Sequence, residues 1–236
     1  MNIVTDLAVN LRLRRFLAQH VARRPRTDVG YIRREVRAVT EAGDDVPVPE
    51  GAIDVMLAFE DRFGGLSYEV PGWPNEIEYG LDGDASLHQT PLGWAFYGIL
   101  DGSLTAPLDV LLDGRVTARL GYWPQRVVDD SVEQRLNKHA LLVEVSSMPQ
   151  AAFSLAVVTD EPATVPILDL PVVGEASGGG DVWWRDMRCA VWWHLIGWPP
   201  EGPHRWTVTC FAATRPEAED LSETVRRSIP PAAASD

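Results

Sequence analysis

Lysine is almost missing from this 236-residue chain: Lys138 stands alone, and every other basic side chain apart from five histidines is arginine. Cysteine is nearly as scarce. Cys189 and Cys210 are too few for the disulfide framework of a small secreted domain, and both sit in apolar contexts where a free cysteine acts as a small buried hydrophobe. A reducing, cytoplasmic location is therefore expected. No run approaches the roughly 18 consecutive apolar residues of a membrane helix, so no membrane partner is expected. Arg12, Arg14 and Arg15 interrupt the apolar core that a signal peptide would need at the N-terminus.

The patterns that carry catalysis or metal binding are missing too. The histidines, at 20, 88, 139, 194 and 204, never pair at ligand spacing. Cys189 and His194 lie five apart, but no second pair completes a four-ligand zinc set. Asp82-Gly83-Asp84-Ala85-Ser86 has its glycine at the second position and Gly93 at the twelfth, whereas a calcium loop wants glycine sixth and glutamate twelfth. Gly178-Gly179-Gly180 lacks the Lys-Ser/Thr of a phosphate loop, and no Gly-x-Ser-x-Gly elbow occurs. The expectation is a non-enzyme with no cofactor and no metal.

What the chain has is charge, unevenly spread. The formal net charge is −13, yet residues 1–40 hold nine arginines against Asp6, Asp28 and Glu35. Between Asp44 and Asp84 lie eleven carboxylates and a single arginine, Arg62. Such a segment repels nucleic acid and anionic membrane and attracts basic partners; otherwise it is a solubilising surface.

Apolar residues from Ile3 to Val21 recur at helical steps, with Pro25 as the stop, and Val29–Val39 reads as a second helix with Ile32 and Val36 inward. Residues 1–45 thus form a helical arm, and 42–51 reads as a linker. A helix follows over Glu50–Phe63, ended by Gly64-Gly65. Strands are expected at Leu66–Val70, Glu76–Leu81, Trp94–Leu100, Leu108–Leu112 and Val116–Gly121. The Asp113-Gly114 pair closes the clearest hairpin. Val132–Leu142 reads as a helix capped by Asp130 or Ser131.

Beyond about residue 146 the texture changes, and 146–229 reads as a C-terminal α+β extension with a disordered tail over 230–236. Phe153–Val158 reads as a strand. Asp181–Ile196 either is a helix capped by Asp181 and stopped by Gly197 or, as aromatic and β-branched content favours, holds a strand, Cys189–Ile196, in a hairpin with Arg205–Ala213. Six of the nine tryptophans fall in 183–206. They build the core of this extension, or Trp183, Trp184 or Trp198 anchors an interface. Thr214-Arg215-Pro216-Glu217 opens the last helix as a capping box.

The run Val48-Pro49-Glu50 through Ala58-Phe59-Glu60-Asp61-Arg62-Phe63-Gly64-Gly65-Leu66 resembles the opening of the SUKH superfamily, the SMI1/KNR4-like proteins. Leu112-Asp113-Gly114-Arg115-Val116 and Val128-Asp129-Asp130-Ser131-Val132-Glu133-Gln134-Arg135-Leu136 are similar to that family's closing strand-turn and serine-started helix. The resemblance spans roughly residues 46–145. It implies an α+β fold with helices packed on an antiparallel sheet, and a non-catalytic immunity protein that neutralises a cognate polymorphic toxin, a basic nuclease or deaminase. The candidate partner-binding residues are Glu69, Glu76, Glu78, Asp82 and Asp84 for charge and Trp73 as anchor. Two rivals stand beside this reading. One is a regulatory or scaffold module on the same fold. The other is an enzyme whose site gathers scattered residues such as His88, Glu78 and Asp82.

Overall fold

The computed structural model describes residues 2–71, 77–102, 108–157, 169–201 and 203–229. The chain divides into two compact units, residues 1–121 with 125–132, and residues 122–124 with 133–236. Both combine helices with sheets, a mixed α+β fold.

The first unit begins with a short 3-10 turn at Ile3–Thr5, then α1 (Leu11–His20) and β1 (Val21–Arg23). The single helix expected over Ile3–Val21 is broken because polar side chains intercept its backbone. Asp6 accepts from Ala8 N, and Asn10 accepts from Leu13 N as the α1 cap. Two members of the expected apolar stripe, Leu7 and Leu11, consequently face solvent. Next come α2 (Val29–Glu35), β2 (Arg37–Val39), β3 (Asp45–Val46) and α3 (Ala52–Phe63). The helix expected over Val29–Val39 stops at Glu35 because β2 is drawn into the sheet as a parallel neighbour of a later strand.

The remaining strands of this unit are β4 (Leu66–Val70), β5 (Ile77–Leu81), β6 (Ser86–Thr90), β7 (Gly93–Asp101), β8 (Leu108–Leu111), β9 (Val116–Ala118) and β10 (Arg126–Asp129). β7 is the spine. It pairs with β8 along one edge and with β6 and β5, end to end, along the other. β4 and then β1 extend the sheet beyond β5, β2 and β3 extend it beyond β6, and β9 and β10 follow β8. The N-terminal arm is therefore no separate element: β1 is an edge strand on β4, and β2 lies on β6.

Helices α1 and α3 cover one face of this sheet. Phe16 meets Tyr68 edge-on at 5.2 Å and Phe59 meets Phe96 at 5.3 Å, so the 3.6-residue stripes of the helices mesh with the alternate inward residues of the strands. Glu60 also turns inward and is fully buried. Its Oε2 accepts from Gly83 N at 2.8 Å and ties down the turn after β5. Burial, then the nearby Asp82 charge, push this carboxyl above its ordinary range, against the pull of the Gly83 hydrogen bond. Gly65 closes α3 with φ +77°, and a Cβ there would lie 2.4 Å from the Arg24 carbonyl oxygen, beside the hydrogen bond that Arg24 N makes to Gly65 O. Gly65→Ala is expected to cost about 1–3 kcal/mol and to loosen β1. Urea denaturation measures it, and a wild-type midpoint would contradict this account.

β7 carries a bulge between Tyr97 and Ile99. Gly98 and Ile99 both lie on the helix side, and a Cβ on Gly98 would press on Phe59, Phe96 and Val110. Tyr97 and Leu100 therefore both emerge on the opposite face.

The second unit holds α4 (Val132–Val145, counted here from Glu133), β11 (Gln150–Val157), β12 (Asp181–Arg185), β13 (Cys189–Gly197), β14 (His204–Ala212) and α5 (Arg215–Ser228). The four strands form an antiparallel sheet in the order β11-β14-β13-β12. The aromatic run is thus a hairpin, not a helix. The division lies at the start of α4 rather than near 146, because Leu141 and Val145 of α4 pack with Trp183, Ala190 and Phe211 of this sheet. α5 opens with the Thr214–Glu217 capping box, and its Arg226 sits over Phe153 on the other face of the sheet. Trp183, Trp184, Trp193, Trp198 and Trp206 are all buried, so the tryptophans fill the core; Trp183, Trp184 and Trp198 are not exposed anchors.

A polar cluster lies inside this unit. Asp181 accepts from Lys138 Nζ at 2.5 Å and Trp192 Nε1 at 2.7 Å, and contacts His194 Nδ1 at 2.8 Å. His139 is buried beside it, and burial first, then the Arg135 and Lys138 charges, depress its pKa well below the ordinary imidazole value. A depressed folded pKa means the unfolded chain takes up the proton first, so stability is complete above about pH 6.5 and falls below it. Unfolding midpoints at pH 7.5, 6.5 and 5.5 should drop in that order, with a flatter profile in His139→Gln. A wild-type profile with no slope would contradict the buried neutral imidazole.

The expected tail over 230–236 lies outside the described residues, as do 158–168. No described helix is long and apolar enough to cross a membrane.

Candidate functional site

The sheet of the first unit turns one face to α1 and α3. Its other face carries the groups that remain accessible. Strand alternation puts Glu69 of β4 directly opposite Glu78 of β5, both exposed. Gly80 follows on the same face and pairs with Leu100 of β7, whose side chain would meet a Cβ on Gly80 at 3.5 Å. With no side chain on Gly80 to cover it, Leu100 stays 62% exposed. Tyr97, 41% exposed, comes next along β7 through the bulge, and Asp84 N donates to its carbonyl oxygen. An apolar and aromatic centre is thereby flanked by Glu69, Glu78 and Asp84.

Farther along the same face a cleft of about 440 Å³ opens, lined by Glu41, His88, Tyr97, Asp109, Arg119 and Gln125 among others. The His88 ring stacks on Tyr97 with centroids 4.6 Å apart. Its Nε2 lies 3.3 Å from Asp109 Oδ1, while Asp109 Oδ2 accepts from Gln125 Nε2 at 2.8 Å. Burial first, then the Asp109 and Asp84 charges, raise the Tyr97 hydroxyl above its ordinary pKa.

Of the residues expected to bind a partner, Trp73 and Glu76 lie outside the described residues. The structure brings Glu69 and Glu78 together and sets Asp84 near Tyr97. Asp82, though exposed, is engaged by the arm: Thr27 donates to it through both N and Oγ1. Arg24 pairs with Glu78, Arg26 reaches Asp61 at 3.7 Å, and Arg62 binds Asp6 at 3.0 Å. The acidic segment and the basic arm therefore partly neutralise one another within the unit, and the eleven-carboxylate field is weaker than composition suggests. The enzyme grouping of His88 with Glu78 and Asp82 is also rearranged, since the carboxylate facing His88 is Asp109.

Asp109 itself escaped sequence reading. The signal was an acidic residue inside the apolar run Leu108–Leu112, a position buried to 9% exposure. Cys189 and His194 differ in parity along β13 and point to opposite faces, and His194 is taken by Asp181. Among the described residues no three His, Cys, Asp or Glu side chains converge as metal ligands would.

Comparison with protein-family models, curated proteins and solved structures finds no match to this chain.

Proposed function

We propose that the protein binds a basic protein partner through the open face of its first sheet, acting as an immunity protein that holds a toxin by affinity. The observation that carries this reading is Leu100, an aliphatic side chain 62% exposed near the end of β7, on the sheet face that also presents Glu69, Glu78 and Tyr97. Interfaces draw most of their energy from a few desolvated apolar or aromatic anchors, and surrounding charges select the partner and speed encounter. A nuclease or deaminase toxin, which handles a polyanion, presents the complementary positive cleft. The resemblance of residues 46–145 to the SUKH superfamily supports the same role, as does an acidic chain that would repel nucleic acid itself.

The test is capture of the partner from the native host, identification by mass spectrometry, and titration of that purified partner. Leu100→Ala combined with Glu69→Lys and Glu78→Lys should weaken binding by about 100-fold and flatten its salt dependence. These positions are exposed, so the fold should survive, which circular dichroism checks. Unchanged affinity, or a partner with an acidic contact surface, would defeat the proposal.

A further inference from the structure

The cleft beside this face has an unusual balance of hydrogen-bonding groups. Gln125 spends both amide protons internally, on Asp109 Oδ2 at 2.8 Å and Thr117 Oγ1 at 2.7 Å, which leaves its carbonyl oxygen as acceptor. The Thr90 hydroxyl is likewise spent on the Gly93 carbonyl. Asp109 Oδ1 is buried with no hydrogen-bond partner among the described residues, and His88 Nε2 approaches it at 3.3 Å. Glu41 adds a second carboxylate at the rim, and Tyr97, stacked on His88, offers a π surface. Among the described lining residues, the exposed Arg119 is the one arginine or lysine set against these acceptors. A buried carboxylate oxygen without a donor is costly, and a donor-rich cation with its own flat face satisfies both the oxygen and the ring.

We propose that this cleft receives a guanidinium or ammonium group, the side chain of an arginine or lysine carried by the protein partner. That the group comes from a partner rests on the function proposed above; the cation preference of the cleft does not. The cleft shares Tyr97 with the Leu100 face, so an inserted basic side chain and an apolar contact on Leu100 would belong to one interface.

The experiment is an NMR titration of the intact protein with N-acetyl-arginine amide, with N-acetyl-glutamate amide as the anionic probe. The arginine probe should produce saturable shifts at the Gln125 side-chain amide and at Tyr97. Asp109→Asn should weaken it about tenfold and Glu41→Gln about threefold, while Arg119→Gln should strengthen it about threefold by removing a like charge. Glu41 and Arg119 are exposed, so those two variants keep the test decisive even where Asp109→Asn fails to fold. A gain on losing Arg119 cannot come from structural damage. Preferential binding of the glutamate probe, weakening in Arg119→Gln, or no saturable shift with the arginine probe would each overturn the proposal. A basic partner that binds the Leu100 face while the arginine probe stays silent would refute this inference and leave the proposed function standing; the converse pattern would refute the function and keep the cation site.

Discussion

Replacing Asp181 by asparagine should destabilise the second unit by about 3–5 kcal/mol, because it removes the buried carboxylate that pairs with the buried Lys138 ammonium. Asp181 is 2% exposed and Lys138 is 6% exposed, so neither can turn to water while the unit stays folded. Burial is the largest influence on the Asp181 carboxyl and would raise it. The Lys138 and His194 charges and their hydrogen bonds outweigh burial and hold it well below the usual carboxylate range. A folded pKa depressed in this way gives stability that is complete above the ordinary carboxylate range and lost as pH falls through the depressed value. Lys138→Met should cost a comparable amount, by removing the buried ammonium that compensates the carboxylate. The double change Asp181→Leu with Lys138→Met should cost far less than the two single changes together, since an apolar pair removes both desolvation penalties. Tryptophan fluorescence against guanidinium follows the transition, and additive losses in the double variant would show that the pair is not coupled. The chain's one lysine is placed where its flexible stem can thread to a buried carboxylate, a use for which the planar arginine fork is less suited.

Trp183→Ala is expected to cost about 3–5 kcal/mol as well, for a different reason: a cavity at the centre of the second core. Trp183 stacks on Trp192 at 5.0 Å with planes 7° apart, approaches Phe211 at 6.1 Å, and belongs to the buried cluster with Leu141, Val145, Ala176 and Ala190. Its indole N–H is buried with no hydrogen-bond partner among the described residues. Removing that group while keeping a ring, as in Trp183→Phe, deletes an unsatisfied donor and offsets part of the lost volume, so this variant should lose less than about 2 kcal/mol. Equal losses in the two variants would mean that the indole nitrogen, and not ring volume, holds the site together.

These residues also show how far a sequence reading reaches. The capping box of α5, the Asp113-Gly114 hairpin and the Gly64-Gly65 stop were legible because each depends on chemistry within four or five residues. The arm was misjudged for the opposite reason. Val21–Arg23 becomes a strand through β4, some forty-five residues away, and Arg37–Val39 takes its place in the sheet through β6, still farther along the chain, with only the two-residue β3 as a nearby partner. Of the candidate surface, Glu69 and Glu78 were legible as charge, while their direct opposition depends on strand register. Leu100 was invisible as a surface residue, because it ends an apolar strand. The His88–Asp109 contact joins β6 to β8 across β7, and no spacing rule links residues on three strands.

The phase slip at Gly98 decides which side chains the outside world meets. Were the slip ironed out with the strand's length unchanged, strict alternation from Tyr97 would turn Ile99 outward and Leu100 inward. An exposed aliphatic side chain would be exchanged for a core position with the sequence unchanged, so the surface proposed above for a partner depends on one backbone irregularity.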